Sequence, residues 1–443
     1  MAESRALLSL LAGPLALAAA LVLLPLRPAV ADDLSFALGH AVFERFWVAG
    51  GASTQSADGL GPLYNARSCA GCHAGAGPSR VTRAADGTLS GPGLLVRLGT
   101  DTGDIDPVYG RQIQPRAVPG VPAEAAVVLS EEPVRPGEPG PRVGLRLEGL
   151  AYGALAPQTG AGVRIGPELA GRAALGRIDE AAILALADPD DADGDGISGR
   201  PNRIVMPDGS RQTGRYGWRA AHPTLADQVA SAFADDMGLS SRLRPRPWGD
   251  CTPAQTACRA ARHGDRDAIS ETEVSDEMFA LVLAYLDGLD SPSHEAKPRR
   301  AAAAGRAEPA PAPGPAGDGR AGAARGPALF AATGCAACHV PALPARDGGM
   351  VNAFSDLLLH DMGAGLADPA VQGEATAREW RTAPLIGLAS GKPGTRRYLH
   401  DGRADSLQTA IGWHDGEAAA ARRAFGALSP GDRAALLAYL GEL

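Results

Sequence analysis

The spacing of apolar and polar residues divides the chain into stretches of different kinds. An apolar run from Leu7 to Leu26 follows Arg5 and leads to the small-residue triplet Ala29-Val30-Ala31 before Asp32. This is the pattern of a cleaved secretory signal over residues 1–31. The run is also long enough for an uncleaved anchor, which is the alternative. Near the C-terminus, Leu436, Leu437 and Leu440 form one apolar helix face, with Ser429 as its cap, Pro430 in the first turn and Asp432 three residues after the cap. Leu407, Ile411 and His414 stand at i, i+4 and i+7 behind Asp405 or Ser406, and predict another helix. Between Val81 and Pro223 the pattern changes to Gly- and Pro-rich sequence with short runs such as Gly93-Leu94-Leu95-Val96-Arg97-Leu98. That stretch predicts loops and short strands, with a helix near Ile178 to Ala187.

From Ser291 to Arg325 the residues are almost all Ala, Pro, Gly, Arg and Glu, a composition that buries little and reads as an extended linker. The same landmarks recur on its two sides. Gly39-His40-Ala41-Val42-Phe43 is answered by Gly326-Pro327-Ala328-Leu329-Phe330, and Leu283-Ala284-Tyr285-Leu286 by Leu437-Ala438-Tyr439-Leu440.

Between each pair of landmarks lies one C-x-x-C-H pentapeptide, Cys69-Ala70-Gly71-Cys72-His73 and Cys335-Ala336-Ala337-Cys338-His339. Two thiols on one helical turn can add to the two vinyl groups of a porphyrin while the adjacent imidazole reaches the iron, so each pentapeptide predicts a covalently bound c-type haem. His73 and His339 are then the proximal iron ligands. Two copies argue against a zinc half-site or a redox CxxC. Landmark helix, haem motif and closing helix together predict a mainly α fold of two cytochrome c-like haem domains, the first with a large loop-rich insertion containing short strands. The expected boundaries are 32–290 for the N-terminal domain, 291–325 for the linker and 326–443 for the C-terminal domain.

The remaining cysteines, Cys251 and Cys258, would form a short disulfide loop in an exported chain, or stay as two thiols. Export also suits c-type haem attachment, and places the protein in the periplasm with an electron-transfer partner and no stable membrane insertion once the signal is removed. At 443 residues and 45% hydrophobic composition the chain can bury more than one core, and its net charge of -8 argues against nucleic acid as a partner.

Three longer motifs carry a resemblance: Gly61-Pro62-Leu63-Tyr64-Asn65-Ala66-Arg67-Ser68 leading into the first pentapeptide, Asp193-Gly194-Asp195-Gly196-Ile197-Ser198-Gly199-Arg200-Pro201-Asn202, and Leu358-Leu359-His360-Asp361-Met362-Gly363. With them the chain resembles, over nearly its whole mature length, the bacterial di-haem oxidoreductases described as thiol oxidoreductases or peroxidases. It is more distantly similar to di-haem cytochrome c peroxidases and to the di-haem enzyme that matures tryptophan tryptophylquinone. The wider signature reads Arg381-Thr382-Ala383-Pro384-Leu385, Tyr398-Leu399-His400-Asp401-Gly402 and Ser406-Leu407-Gln408-Thr409-Ala410-Ile411. The resemblance implies peroxidase-like chemistry with one haem as reaction centre and the other for electron transfer. A pure electron-transfer cytochrome with both irons six-coordinate is the alternative.

In the peroxidase relatives the helix after Tyr-x-His-Asp-Gly carries a distal methionine one turn beyond the position of Ile411; here His414 stands there and is the leading sixth ligand of the second haem. Met362 is the rival, and a partly exposed histidine ahead of Asp415-Gly416-Glu417 is the plain alternative. His360 and His400 have family counterparts near the second haem and read as pocket or propionate partners, or as core histidines. His222, Gln112 and Gln114 are candidates for the distal side of the first haem. Trp218, Trp380 and Trp413 are candidates for the space between the haems, or for core packing. No catalytic residue is identified: where the relatives place a distal glutamate, this chain has Ala226 followed by Asp227, which speaks against peroxide turnover. Asp191, Asp193 and Asp195 with Gly196 resemble a calcium loop, although position 12 is Asn202; a solvated acidic turn is the alternative.

Overall fold

The computed structural model describes residues 28–54, 56–100, 102–264, 271–289, 319–388 and 396–443. Most of the expected signal and most of the expected linker lie outside the described residues. Among them, no helix is long and apolar enough to cross a membrane.

The sequence landmarks meet in space. Helix Pro28–Glu44 packs on helix Asp276–Gly288, and helix Gly319–Ala332 packs on helix Pro430–Leu440. Each crossing is closed on a glycine. A Cβ at Gly39 would lie 2.0 Å from the Leu281 carbonyl oxygen and 2.8 Å from Tyr285 Cβ, and one at Gly326 would lie 2.2 Å from Tyr439 Cβ. One turn on, Phe43 meets Tyr285 with ring centres 5.0 Å apart, and Phe330 meets Tyr439 at 5.8 Å. The last helix starts as its cap pattern predicts, with the Ser429 hydroxyl accepting from the Asp432 N–H at 3.1 Å.

The expected fold class is overturned. Among the described residues the protein is only 29% helical with 18% strand, with ten helices and several small sheets, and is not a mainly α cytochrome-like fold. The Gly- and Pro-rich stretch after the first pentapeptide is the reason, because it favours turns and short strands over helix. It forms a four-stranded antiparallel sheet of Thr82–Arg83, Thr88–Ser90, Ala126–Glu131 and Val143–Glu148, and a three-stranded sheet of Gln112–Ile113, Leu94–Gly99 and Gly160–Ile165. Helix Glu180–Leu184 is the one expected near Ile178.

Residues on the two sides of the linker share cores. Leu175, Ile178, Ile183 and Tyr216 pack with Leu343, Val351, Leu357 and Leu358. Strand Leu359–Asp361 pairs with Glu379–Arg381, and Leu359 also bridges Arg200. Arg164 holds Asp368 through two hydrogen bonds of 2.6 and 2.8 Å, both side chains almost fully buried. Breaking one partner of such a pair strands a charge in the interior and costs about 3–5 kcal/mol. Cys251 and Cys258 are joined in a disulfide.

Candidate functional site

The second pentapeptide forms a 3-10 turn, Cys335–Ala337, entered through Gly334 in the left-handed region at φ +81°. His339 follows it, its N–H bonded to the Cys335 carbonyl at 3.0 Å. His339 Nδ1 lies 3.0 Å from the Phe354 carbonyl oxygen, and His414 Nδ1 lies 2.9 Å from that of Ala410. A carbonyl can only accept, so each Nδ1 carries its hydrogen and each Nε2 keeps a free lone pair. The two ring centres are 6.5 Å apart. That gap admits a single metal ion at metal–imidazole bonds of about 2 Å. His414 reaches this place because Ser406 caps helix Leu407–Gly412, accepting from the Thr409 N–H at 3.1 Å, and the chain turns inward after the helix ends. Burial lowers the proton affinity of both imidazoles, with His339 pushed down to about 4 by burial and by the neighbouring His414. Both rings are therefore neutral and able to donate a lone pair.

Of the other candidates here, His360 lies between two carboxylates, Nε2 at 2.9 Å from Asp356 and Nδ1 at 2.7 Å from Glu417, with Cys338 Sγ at 3.9 Å. Burial opposes its charge, but the bonds to Asp356, Cys338 and Glu417 overcome this and push it up to about 12. Glu417 also accepts from the Ser198 N–H at 3.0 Å, which ties the first half of the chain to this cluster. His400 stacks on Trp380 with ring centres 3.8 Å apart and planes 13° apart, and the guanidinium of Arg219 covers Trp380 at 4.1 Å. Burial, with Arg164, Arg403 and Arg219 nearby, holds His400 well below its ordinary value. Trp380 and Trp413 share one apolar cluster with Trp218 and Met362 packed against it.

The first pentapeptide is a short helix, Cys69–Cys72, capped by the Ser68 hydroxyl, which accepts from the Gly71 N–H at 3.0 Å. His73 Nδ1 is 3.1 Å from the Gly77 carbonyl oxygen, and the backbone of Pro167 also hydrogen-bonds this ring. Gly166, at the end of the three-stranded sheet, lies directly against this ring: a Cβ there would be 2.7 Å from His73 Cε1 and 3.1 Å from Nε2. Burial, and then Asp236, push both Cys69 and Cys72 up to about 12, so the free thiols stay protonated. Unlike His339, His73 has no partner ring among the ring contacts of the described residues, where His339–His414 is the one pair of imidazoles.

Two of the three distal candidates are hydrogen-bonded to other protein groups. Gln112 Nε2 donates to Asp236 Oδ1 at 2.8 Å, and Gln114 Oε1 accepts from Asn65. His222, pushed down to about 4 by burial, sits among Asp235, Arg97 and Arg244. Asp227 accepts from the Thr224 hydroxyl at 2.6 Å at the start of helix Leu225–Ser231, a capping task at the surface. In the acidic loop the carboxylates that converge are Asp188, Asp191 and Asp193. Asp195 points away, its Oδ1 accepting from the Ile197 N–H at 2.8 Å.

Sequence reasoning missed Gly166, whose role depends on a contact across 93 residues of chain, and the buried acids Glu124 and Asp235 with their half-buried neighbours Asp236 and Asp250. It also missed Arg381 as a chemical feature. This guanidinium is buried, its Nε has no hydrogen-bond partner, and burial followed by Arg172 pushes it down to about 9. Arg381 has no salt bridge among the described residues, and an anionic substituent such as a haem propionate would satisfy it. The paired neutral imidazoles, the bare Gly166 against His73 and this unpaired guanidinium all fit haem.

The family described as "di-haem oxidoreductase, putative peroxidase" matches residues 155–443, and the chain belongs to it. The match includes the second pentapeptide and begins after the first, so it is shorter than the resemblance read from the motifs. No curated protein and no solved structure matches the chain.

Proposed function

We propose that this di-haem oxidoreductase carries two covalently attached c-type haems of unequal role, at Cys69, Cys72 and His73 and at Cys335, Cys338 and His339. The second haem, held between His339 and His414, is closed and relays electrons. The first, with His73 alone, is the reaction centre. The 6.5 Å pairing of His339 with His414, with no equivalent at His73 among the described residues, is the observation that carries this reading. Bound haem supplies one-electron chemistry at its iron, and two imidazole ligands favour a lower potential than a Met ligand would. The carbonyls of Phe354, Ala410 and Gly77 orient the three imidazoles, and the buried Arg381 guanidinium, with its Nε unpartnered, is the group that would anchor a propionate.

Peroxide is the less supported substrate. The segment expected to bring a distal base offers only Asp227, which caps a helix instead. The reading includes export to the periplasm with residues 1–31 as the signal, haem-bearing segments 32–290 and 326–443 joined by the linker 291–325, and a periplasmic electron-transfer partner. It also includes calcium at the acidic loop, held by Asp191 and Asp193 with Asp188 in place of Asp195.

Two measurements test it. Pyridine haemochrome should give two haems per chain that resist acid-acetone extraction, and the resting ferric spectrum should show one low-spin and one high-spin iron. Two low-spin irons would favour the pure electron carrier, and a single haem would sink the reading.

A further inference from the structure

Asp235 and Asp236 end a π-helical turn, Ala232–Asp236, that follows helix Leu225–Ser231. A turn of this kind accommodates one extra residue and recurs at functional sites. The Asp236 carbonyl accepts from the N–H groups of Asn65 at 2.8 Å and Ala66 at 3.1 Å, just ahead of the first pentapeptide. Its carboxyl group raises both Cys69 and Cys72 through space. Two more buried carboxyls face the same cluster. Asp250, beside the Cys251–Cys258 disulfide, accepts from the Arg111 N–H, and Glu124 accepts from Gln114 and Gln255. Among the described residues, two guanidinium groups are ion-paired to these four acids, Arg97 on Asp235 at 3.2 Å and Arg111 on Asp250 at 3.4 Å. An unpaired carboxylate in the interior costs more than the same group holding a proton, so the charge imbalance favours protonation.

Gln112 gives an independent indication. It is fully buried, and its Nε2 donates to Asp236 Oδ1 at 2.8 Å and to the Asp235 carbonyl at 3.2 Å, while its Oε1 has no donor. Exchanging the amide oxygen and nitrogen moves this need without removing it, because Oε1 would then face Asp236 and require a hydrogen on that carboxyl. The cluster is one donor short.

We propose that Asp235, Asp236, Asp250 and Glu124 form a proton-loading site beside the first haem, which binds one proton from solvent when a one-electron donor reduces that haem and releases it on reoxidation. The proposal rests on the haem assignment made above. In the balanced step the ferric haem gains one electron and one carboxylate gains one proton to become a carboxylic acid, so the buried charge does not change. Burial places the acids in the useful range, pushing Asp236 up to about 6 and Glu124 up to about 8, while burial and Asp235 push Asp250 up to about 7. Burial also raises Asp235, but Arg97, the Ser231 hydroxyl and Arg111 together outweigh it and lower that acid from its ordinary value. The other groups facing the cluster hold their charge between pH 5 and 9. Asp106, opposite Glu124, accepts from the N–H groups of Val108 and Tyr109, and His222, opposite Asp235, is pushed down to about 4. Tyr109 is raised from its ordinary value by burial.

Spectroelectrochemical titration of the holoprotein between pH 5 and 9 tests this, with the two haems distinguished by spin state. The first haem's potential should fall by up to about 59 mV per pH unit, the one-electron equivalent of a tenfold change in proton activity, while the second stays nearly flat. Asp236→Asn should flatten the slope, and Glu124→Gln should narrow its window from the alkaline side, which keeps the test open if either variant fails to fold. A flat profile in the wild-type protein, or an unchanged slope in both variants, overturns the proton-loading site alone. Absence of haem at the first pentapeptide overturns the haem assignment and the site together.

Discussion

His339 and His414 face each other with ring centres 6.5 Å apart, each with Nδ1 fixed by a backbone carbonyl. The two residues are 75 positions apart in the chain, yet both are presented to one point as neutral rings. Replacing His414 with Ala should convert the second haem to high spin and open it to cyanide, while Met362→Ala should leave its low-spin signal intact. Replacing His414 with Met should raise that haem's potential. Electron paramagnetic resonance and cyanide titration decide between the two ligands, and the opposite pattern would assign the position to Met362.

Gly166 is the corresponding sensitive point at the first site. Gly166→Val places side-chain carbon where a Cβ already lies 2.7 Å from His73 Cε1, so the imidazole must move. Overpacking of this kind costs about 1–3 kcal/mol. Haem content measured by pyridine haemochrome should drop from two toward one per chain, with the second haem's spectrum unchanged. Retention of two normal haems would show that the contact is slack.

His360 carries a pH dependence whose sign is fixed by its neighbours. Its folded value is raised to about 12 against an ordinary 6.5, so the folded state binds the proton more tightly than the unfolded chain. The stabilisation is complete below about pH 6.5 and declines as pH rises toward 12. His360→Gln should destabilise the protein by about 3 kcal/mol at pH 6, since Asp356 and Glu417 lose a buried counter-charge, and by progressively less above pH 9. Denaturant unfolding at the two pH values reads the difference; equal losses at both would mean that His360 is not charged in the fold.

The helix crossings should be equally intolerant of bulk. Gly326→Val drives a side chain into Tyr439, where the added Cβ alone would lie 2.2 Å from Tyr439 Cβ. We expect a loss of about 1–3 kcal/mol, visible as a lower midpoint in thermal unfolding, whereas Gly431→Ala, at a glycine with open space around it, should be nearly silent.

Calcium at the acidic loop is decided by titration calorimetry on metal-stripped protein. The converging carboxylates predict that Asp188→Asn and Asp193→Asn weaken binding and that Asp195→Asn does so much less, since Asp195 is turned onto Ile197. Equal affinity in all three variants and the wild type would leave the loop as a solvated turn.

The sequence by itself determined what local chemistry can encode. Two pentapeptides identified the cofactor class, the recurring Gly–Phe and Tyr landmarks marked helix pairs that do pack on one another, and Ser406 with Leu407 and Ile411 marked the helix that precedes His414. These signals span a few residues and survive in one dimension. The tertiary structure decided the balance of helix and strand, because Gly- and Pro-rich sequence between Val81 and Pro223 gains regular structure only by pairing, as strand Leu94–Gly99 does with Gly160–Ile165. It also decided which polar groups are buried. Asp227 and Asp236 look alike along the chain, but one caps a surface helix and the other lies with a buried glutamine beside the first haem motif. Burial is a sum over neighbours distant in sequence, and for Asp236, Glu124 and Arg381 that sum sets the charge each group can hold.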